Sequence, residues 1–319
     1  MLDVFLTFDI EIWCDDWNDL DTKFPNAFQR YIYGATPRGN YGLPHILREL
    51  DDHGLKGVFF VEPFFSTRFG LDLLSEIISL IQEQKQEVQL HPHTEWIDES
   101  IEPLIDNIQS KKQLLRHFSL SEQITLIQAG ANLIMKAGGG HVNAFRAGNF
   151  GFNRDTLRAL AANNIPFDSS YNATMYGLDS GIHLPEDPFL ESVECEGVYE
   201  FPITVFNDGL KLRHTQVTAC SYQEMEGLLW QALHSGRKSF VIFSHNFEFL
   251  NKSMNRPDYV AVNRFRKLCA FLVRHQDCFR VCGFQGLTPR AITTQPMPLT
   301  SSAWKTSYRM FEQTVRKIF

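Results

Sequence analysis

The chain repeatedly alternates short, almost wholly apolar segments with longer ones whose apolar residues recur at helical spacing, and this pattern is its strongest constraint. "VFLTFDI" (4–10), "KGVFFVEPFF", "EVQLH" (87–91), "NAFRAG" (143–148), "IPFDSS" (165–170), "VYEFPITV" (198–205), "SFVIFSH" (239–245) and "CFRVCGF" (278–284) read as strands. Between them, 41–54, 70–84, 121–136, 153–164, 221–236 and 259–275 read as helices; the third opens on the capping-box-like "SLSEQ" and the first stops at Gly54. Strands that are apolar on both faces need cover on both faces. That argues for a parallel sheet clothed by helices, either a barrel or a doubly wound sheet.

The polar residues decide between these two. Asp9, His91, Arg146, Asp168 and His245 stand at or just past the C-terminal ends of five of these eight strand candidates. In a parallel barrel all such ends converge on one face, where barrel enzymes place their chemistry, whereas a doubly wound sheet gathers ligands only near its switch point. An α/β fold with an irregular barrel is therefore expected. No linker rich in Gly, Ser and Pro divides the chain, so one domain is expected over 1–287, followed by a polar, Pro-containing arm and a short helix over 288–319. The insert between Trp13 and Arg38 is long for a strand-to-helix connection, and long ordered loops at that end of a barrel tend to be functional.

Composition excludes some partners. A net charge of −7 over 319 residues leaves no basic field for a nucleic-acid backbone. The six cysteines are too sparse for a disulfide-stapled domain, and Cys278 and Cys282, four apart with no partner pair, lack the spacing of a zinc ribbon. The chain opens without the basic leader of a secretion signal, and no run of about eighteen apolar residues occurs. A cytoplasmic protein without membrane spans is expected.

Two polar pairs carry the chemical argument. Asp9 and Glu11, like His91 and His93, are spaced i, i+2, which on extended backbone turns both side chains to one face. Two neutral imidazoles and one carboxylate form a familiar three-ligand site for zinc or a similar divalent ion. Such an ion polarises a carbonyl and acidifies bound water, and a second carboxylate nearby serves as general base. The plainer reading, loop histidines and a helix-capping Asp9, is weakened by three further polar strand ends in the same series. Arg146, followed by two glycines in "AFRAGNFGFN", could orient a carboxylate through a two-pronged contact. Asp168 in "FDSSYN" reads either as a site residue or as the cap of a turn. His245 could give a proton to a leaving group. Ser244 precedes it, but no G-x-S-x-G elbow supports a serine hydrolase, and "AGGGH" lacks the strand and Lys-Ser/Thr of a phosphate loop.

Taken in order, "TFDIE", "LHPH", "FRAGNFG", "FDSSYN", "YEFPIT" and "IFSHNFEF" resemble the motifs of the polysaccharide deacetylases of carbohydrate esterase family four. They look most like its divergent branch among bacterial surface-polysaccharide biosynthesis proteins, and the resemblance runs from about Leu2 to Phe284. It implies a distorted (β/α) barrel of seven or eight strands and a divalent metal, commonly zinc. It also implies hydrolysis of an N-acetyl, sometimes O-acetyl, group from an amino sugar. By position Asp9 matches the general base, His91 the first metal histidine, Arg146 the arginine that orients the base, Asp168 an aspartate that tunes the site, and His245 the catalytic acid.

Two positions depart from the family pattern. Ile10 stands where the family has a second, metal-binding aspartate, with Glu11 one position later; Glu95 stands where it has its second histidine, with His93 available instead. The resemblance thus leaves the metal with Glu11, His91 and His93, or with Asp9 while another group becomes the base, or with no tight site. The expected function is removal of an acetyl group from an amino sugar of a bacterial surface polysaccharide, such as lipopolysaccharide or capsule, or from its precursor. The alternatives are an amidohydrolase acting on a small cyclic amide and a catalytically inactive carbohydrate-binding barrel.

Overall fold

The structure is a computed structural model that describes residues 1–14, 16–106, 110–175, 189–292 and 294–318. The chain divides into two compact units, one of residues 1–57, 206–282 and 298–319, the other of 58–205 and 283–297.

In the first unit the N-terminal strand Leu2–Ile10 lies between the strands Ser239–His245 and Phe279–Val281, parallel to both. Its β-branched and aromatic residues suit a sheet buried on both faces, and Leu2, Val4, Phe5, Leu6, Phe8 and Ile10 are all buried. Thr7, the polar interruption, is satisfied because its hydroxyl donates to the Ile242 carbonyl at 2.8 Å. The helix Tyr259–Arg274 presses Phe265 edge-on against Phe8, with ring centroids 5.7 Å apart. The helix Tyr222–His234 begins with a capping box: the Glu224 amide donates to Ser221 Oγ at 3.2 Å, and the Ser221 amide to Glu224 Oε2 at 2.9 Å.

The insert after Trp13 is not an extended loop. It forms the helix Leu20–Phe28 and a π-helical turn Gln29–Tyr33, and it stops at Gly34, which takes a left-handed φ of 58°. A Cβ on Gly34 would lie 2.4 Å from the Gly42 amide, so glycine is required there by space as well as by conformation. The terminal helix Ala303–Ile318 is 16 residues long, well beyond the short helix expected.

The second unit carries five parallel strands, Val58–Val61, Glu87–Leu90, Ala144–Phe145, Phe167–Asp168 and Val198–Glu200, paired in that order. Val193–Cys195 adds an antiparallel edge. The helices Asp72–Glu83, Leu120–Lys136 and Arg154–Ala162 intervene, the second capped by Ser119 with Glu122 as expected. The single strand expected over 198–205 is two: it ends at Glu200 and resumes only at Val205–Asn207. Pro202 lies in the gap, and its missing N–H breaks a ladder. The Glu87 carboxylate ties the 283–297 segment to this unit, accepting from the Phe284 amide at 2.9 Å and the Gln285 amide at 3.2 Å.

Both units are thus parallel strands alternating with helices, the α/β class expected. Because the Ser221 box satisfies donors that are otherwise orphaned, Ser221→Ala should lower unfolding stability by about 1 kcal/mol. A chemical-denaturation midpoint unchanged from wild type would contradict that.

Candidate functional site

In the first unit, strand register sets the geometry. The parallel pairing of Leu2–Ile10 with Ser239–His245 carries Asp9 directly opposite His245. Beyond the ladder Asn246 continues the pairing with its side chain. Its backbone amide donates to the Asp9 carbonyl at 3.2 Å, its Oδ1 accepts from the Glu11 amide at 3.2 Å, and its Nδ2 donates to the carbonyls of Glu11 at 3.1 Å and Tyr31 at 2.8 Å. The chain past Ile10 is therefore held extended, and Asp9 and Glu11 are both buried at its end.

The Glu11 carboxylate accepts from Trp13 Nε1 at 2.8 Å and lies 3.6 Å from His245 Nε2. The other ring nitrogen, His245 Nδ1, donates to Glu248 Oε1 at 2.6 Å, and Glu248 also accepts from Thr218 Oγ1 at 2.7 Å and from Gln216. Burial pushes the His245 pKa down, but Glu11, Glu248 and Asp9 together outweigh it and hold it at about 9. At neutral pH His245 is thus an imidazolium, a proton donor held between carboxylates.

In the second unit, His91 and His93 leave the strand Glu87–Leu90 and are both buried. Each has its Nδ1 engaged: His91 Nδ1 donates to the Arg146 carbonyl at 2.9 Å, and His93 Nδ1 to Glu95 Oε1 at 2.9 Å. These partners fix both tautomers and leave both Nε2 atoms as lone-pair donors, 3.2 Å apart. Two lone pairs facing each other inside a protein repel unless a proton or a cation lies between them. Glu62, buried close to His93, accepts from the amides of Phe64 and Phe65 at 2.6 and 3.1 Å, yet burial outweighs these bonds and the neighbouring His93 and pushes its pKa up to about 8.

A third group lies deeper in the same unit. Arg146, Asp168 and Glu200 are each 0% exposed. The Arg146 guanidinium donates to the Ser169 carbonyl at 2.9 Å and to Ser169 Oγ at 3.0 Å, and lies 4.3 Å from the Phe60 ring centroid. Asp168 Oδ1 accepts from Ser170 Oγ at 2.5 Å, and Glu200 Oε1 from the Tyr171 amide at 3.1 Å. Among the described residues their remaining oxygens, Asp168 Oδ2 and Glu200 Oε2, meet no hydrogen-bond donor but each other's carboxyl, and the two interact. Burial raises the pKa of both; for Glu200 the Asp168 charge adds to it, whereas Ser170, Ser169 and Arg146 pull Asp168 back down. Glu200 therefore keeps the proton, and the nearby Arg146 charge favours the ionised form of Asp168.

Each unit thus gathers its own share of the expected residues: Asp9, Glu11 and His245 in the first, His91 with His93 and Arg146 with Asp168 in the second. Glu248, Asn246, Trp13, Glu62 and Glu200 escaped the sequence reading, as did the role of Glu95 in orienting His93. "SHNFEF" and "HPHTE" did carry a signal for Glu248 and Glu95, an acidic residue two or three positions after a histidine that follows or ends an apolar run.

No protein-family model and no curated protein matches the sequence. Solved structures do. A Mycobacterium smegmatis protein, itself assigned only provisionally as a polysaccharide deacetylase, is 19% identical with a TM-score of 0.53, over 93% of this chain and 95% of that one. A family 4 carbohydrate esterase from Streptomyces lividans, solved with acetate, is 12% identical with a TM-score of 0.45, over 91% and 96%. A family 4 pseudoenzyme from Bacillus anthracis is 12% identical with a TM-score of 0.44, over 94% and 69%. The first of these likenesses shows the fold, a distorted (β/α) barrel.

The Glu200 proton makes a pH prediction. A carboxyl whose folded pKa lies above its unfolded value of 4.5 stabilises the fold fully below that value and progressively less as pH rises through the folded pKa. Stability should therefore fall from pH 5 to pH 8 in the wild type, and fall less in Glu200→Gln, whose amide cannot ionise. Identical pH dependence in urea unfolding of the two proteins would contradict this assignment.

Proposed function

We propose that this chain is a metal-dependent carbohydrate deacetylase of the polysaccharide deacetylase family. Its substrate is an N-acetylated, or O-acetylated, amino sugar of a bacterial surface polysaccharide or of a precursor. The observation that carries the reading is the buried pair His91 and His93, both Nδ1 atoms engaged and both Nε2 atoms 3.2 Å apart. The fold shared with the Mycobacterium smegmatis protein supports it.

The donor set suits the metal. His91 and His93 through Nε2, with the Glu11 carboxylate as third ligand, are the nitrogen and oxygen donors that zinc takes in catalytic sites. When bound, the ion polarises the acyl carbonyl and lowers the pKa of a water molecule.

The chain's own groups do the rest. Asp9, at the family's base position, takes a proton from the attacking water. His245, charged and held by Glu248, gives its Nε2 proton to the leaving amine. Glu95 and the Arg146 carbonyl keep the two histidines in the tautomer that exposes Nε2. Arg146, Asp168 and Glu200 hold the segment that presents that carbonyl. We place the reaction in the cytoplasm: all six cysteines are free thiols, as a reducing compartment keeps them. Among the described residues no helix is long and apolar enough to cross a membrane.

Metal analysis and acetate release test the reading together. Wild type should purify with stoichiometric metal and release acetate from N-acetylated sugars; His91→Ala with His93→Ala, and separately Glu11→Gln, should lose the ion. Asp9→Asn should keep it while kcat falls by about 10²- to 10⁴-fold. Glu95→Gln should weaken metal affinity by about 10- to 100-fold. Full metal retention in the double histidine variant sinks the assignment, and metal loss in Asp9→Asn with retention in Glu11→Gln exchanges the two carboxylates' roles.

A further inference from the structure

A cavity of about 980 Å³ in the first unit reaches Glu11 and His245. That volume is at the upper end of the range for small-molecule sites, about 300 to 1,000 Å³, and exceeds what one sugar ring fills. Trp13 lines it, 45% exposed and pinned through its indole N–H to Glu11, so an aromatic side chain stands on the cavity wall. Phe247, stacked on His245 with ring centroids 5.2 Å apart, adds a second aromatic surface.

The same cavity is lined by three cations that the proposed chemistry does not use: Arg213, Lys252 and Arg316. Arg316, from the terminal helix, is committed, its Nε donating to Asp258 Oδ2 at 2.5 Å and its Nη1 to the Thr218 carbonyl at 3.0 Å. The other two are not. Arg213 makes only long contacts, 3.5 Å from Nη2 to the Ala219 carbonyl and 3.7 Å from Nε to Asp208 Oδ2, an oxygen that already accepts from Arg309 at 2.8 Å. Its Nε has no hydrogen-bond partner among the described residues. Lys252 is exposed and makes no hydrogen bond or ion pair among the described residues.

The carboxylates on this cavity are already engaged. Glu11 is held by Trp13 and His245, Glu248 by His245, Thr218 and Gln216, and Asp258 by Arg316 and the amides of Val260 and Ala261. Among the described residues, Lys252 therefore faces the cavity with no carboxylate partner, and Arg213 with only the long 3.7 Å contact to an Asp208 oxygen that it shares with Arg309.

We infer that the cavity binds an N-acylated amino sugar that carries an anionic group, phosphoryl or carboxylate, with its ring against Trp13 and its anion on Arg213 and Lys252. This rests on the deacetylase reading of Glu11 and His245, and it names the class of substrate that reading takes. An anion at these two residues gains charge-assisted hydrogen bonds that a neutral sugar cannot make.

Calorimetric titration of the protein as purified, with N-acetylglucosamine, N-acetylglucosamine 1-phosphate and N-acetylmuramic acid, tests the inference apart from catalysis. At least one anionic sugar should bind on the order of tenfold or more tightly than the neutral one at low salt, and the one preferred identifies the anion. That preference should shrink as salt is raised on the wild-type protein, and approach unity when Arg213→Gln and Lys252→Gln are combined. Equal binding of all three sugars, or a preference that survives both salt and the double substitution, overturns the inference. Anion preference without acetate release from any sugar would leave this site standing and remove the deacetylase reading, and acetate release without anion preference would do the reverse.

Discussion

A parallel strand covered by helices on both faces has almost nowhere to carry a polar side chain except its end, and the chemistry of this protein follows from that constraint. Leu2–Ile10 stays apolar until Asp9, Glu87–Leu90 hands over to His91, Phe167–Asp168 finishes on its aspartate, and Ser239–His245 on its histidine. Register then converts sequence position into spatial position. In the first unit the pairing that runs from Asp3 with Ser239 to Asp9 with His245 sets a carboxylate against an imidazole with no adjustable element between them. Sites built on paired strands hold geometry better than sites built on loops.

The two units solve the problem of buried charge differently. In the first, several carboxylates surround His245 and hold its proton, so that the cluster is charged and ordered by attraction. In the second, Asp168 and Glu200 keep one proton between them beside a buried Arg146, while the tautomers of His91 and His93 are settled by a backbone carbonyl and a carboxylate. Both arrangements hold a proton on a named group, His245 in the first unit and Glu200 in the second. The cavity next to His245 extends the same logic outward, lined by the aromatic Trp13 and Phe247 and by the lightly held cations Arg213 and Lys252.

The alternation of strands and helices was readable because burial on both faces forces an apolar run, and the strand ends were readable because a polar residue there breaks the run. Asp9, His91, Arg146, Asp168 and His245 stand out on that ground. Glu62, Glu200 and Asn246 were not, because a lone acidic or amide residue in a loop or at the end of a short strand looks the same whether it faces water or a buried partner. The insert after Trp13 read as a loop because its apolar residues, such as Phe24, Ala27 and Phe28, are interspersed with Asp, Lys and Pro, and only packing makes it a helix. The break at Pro202 was visible as a residue, but it lost to the β-rich residues on either side.

The central claim is that His91 and His93 present their Nε2 atoms to one divalent ion. Crystals of the zinc-loaded protein, measured above and below the metal's absorption edge, test it most directly. The account predicts an anomalous peak about 2.0 to 2.1 Å from both Nε2 atoms, with both Nδ1 atoms still bonded to the Arg146 carbonyl and to Glu95. A peak bound through either Nδ1, or no peak at the two histidines in fully loaded crystals, would contradict it.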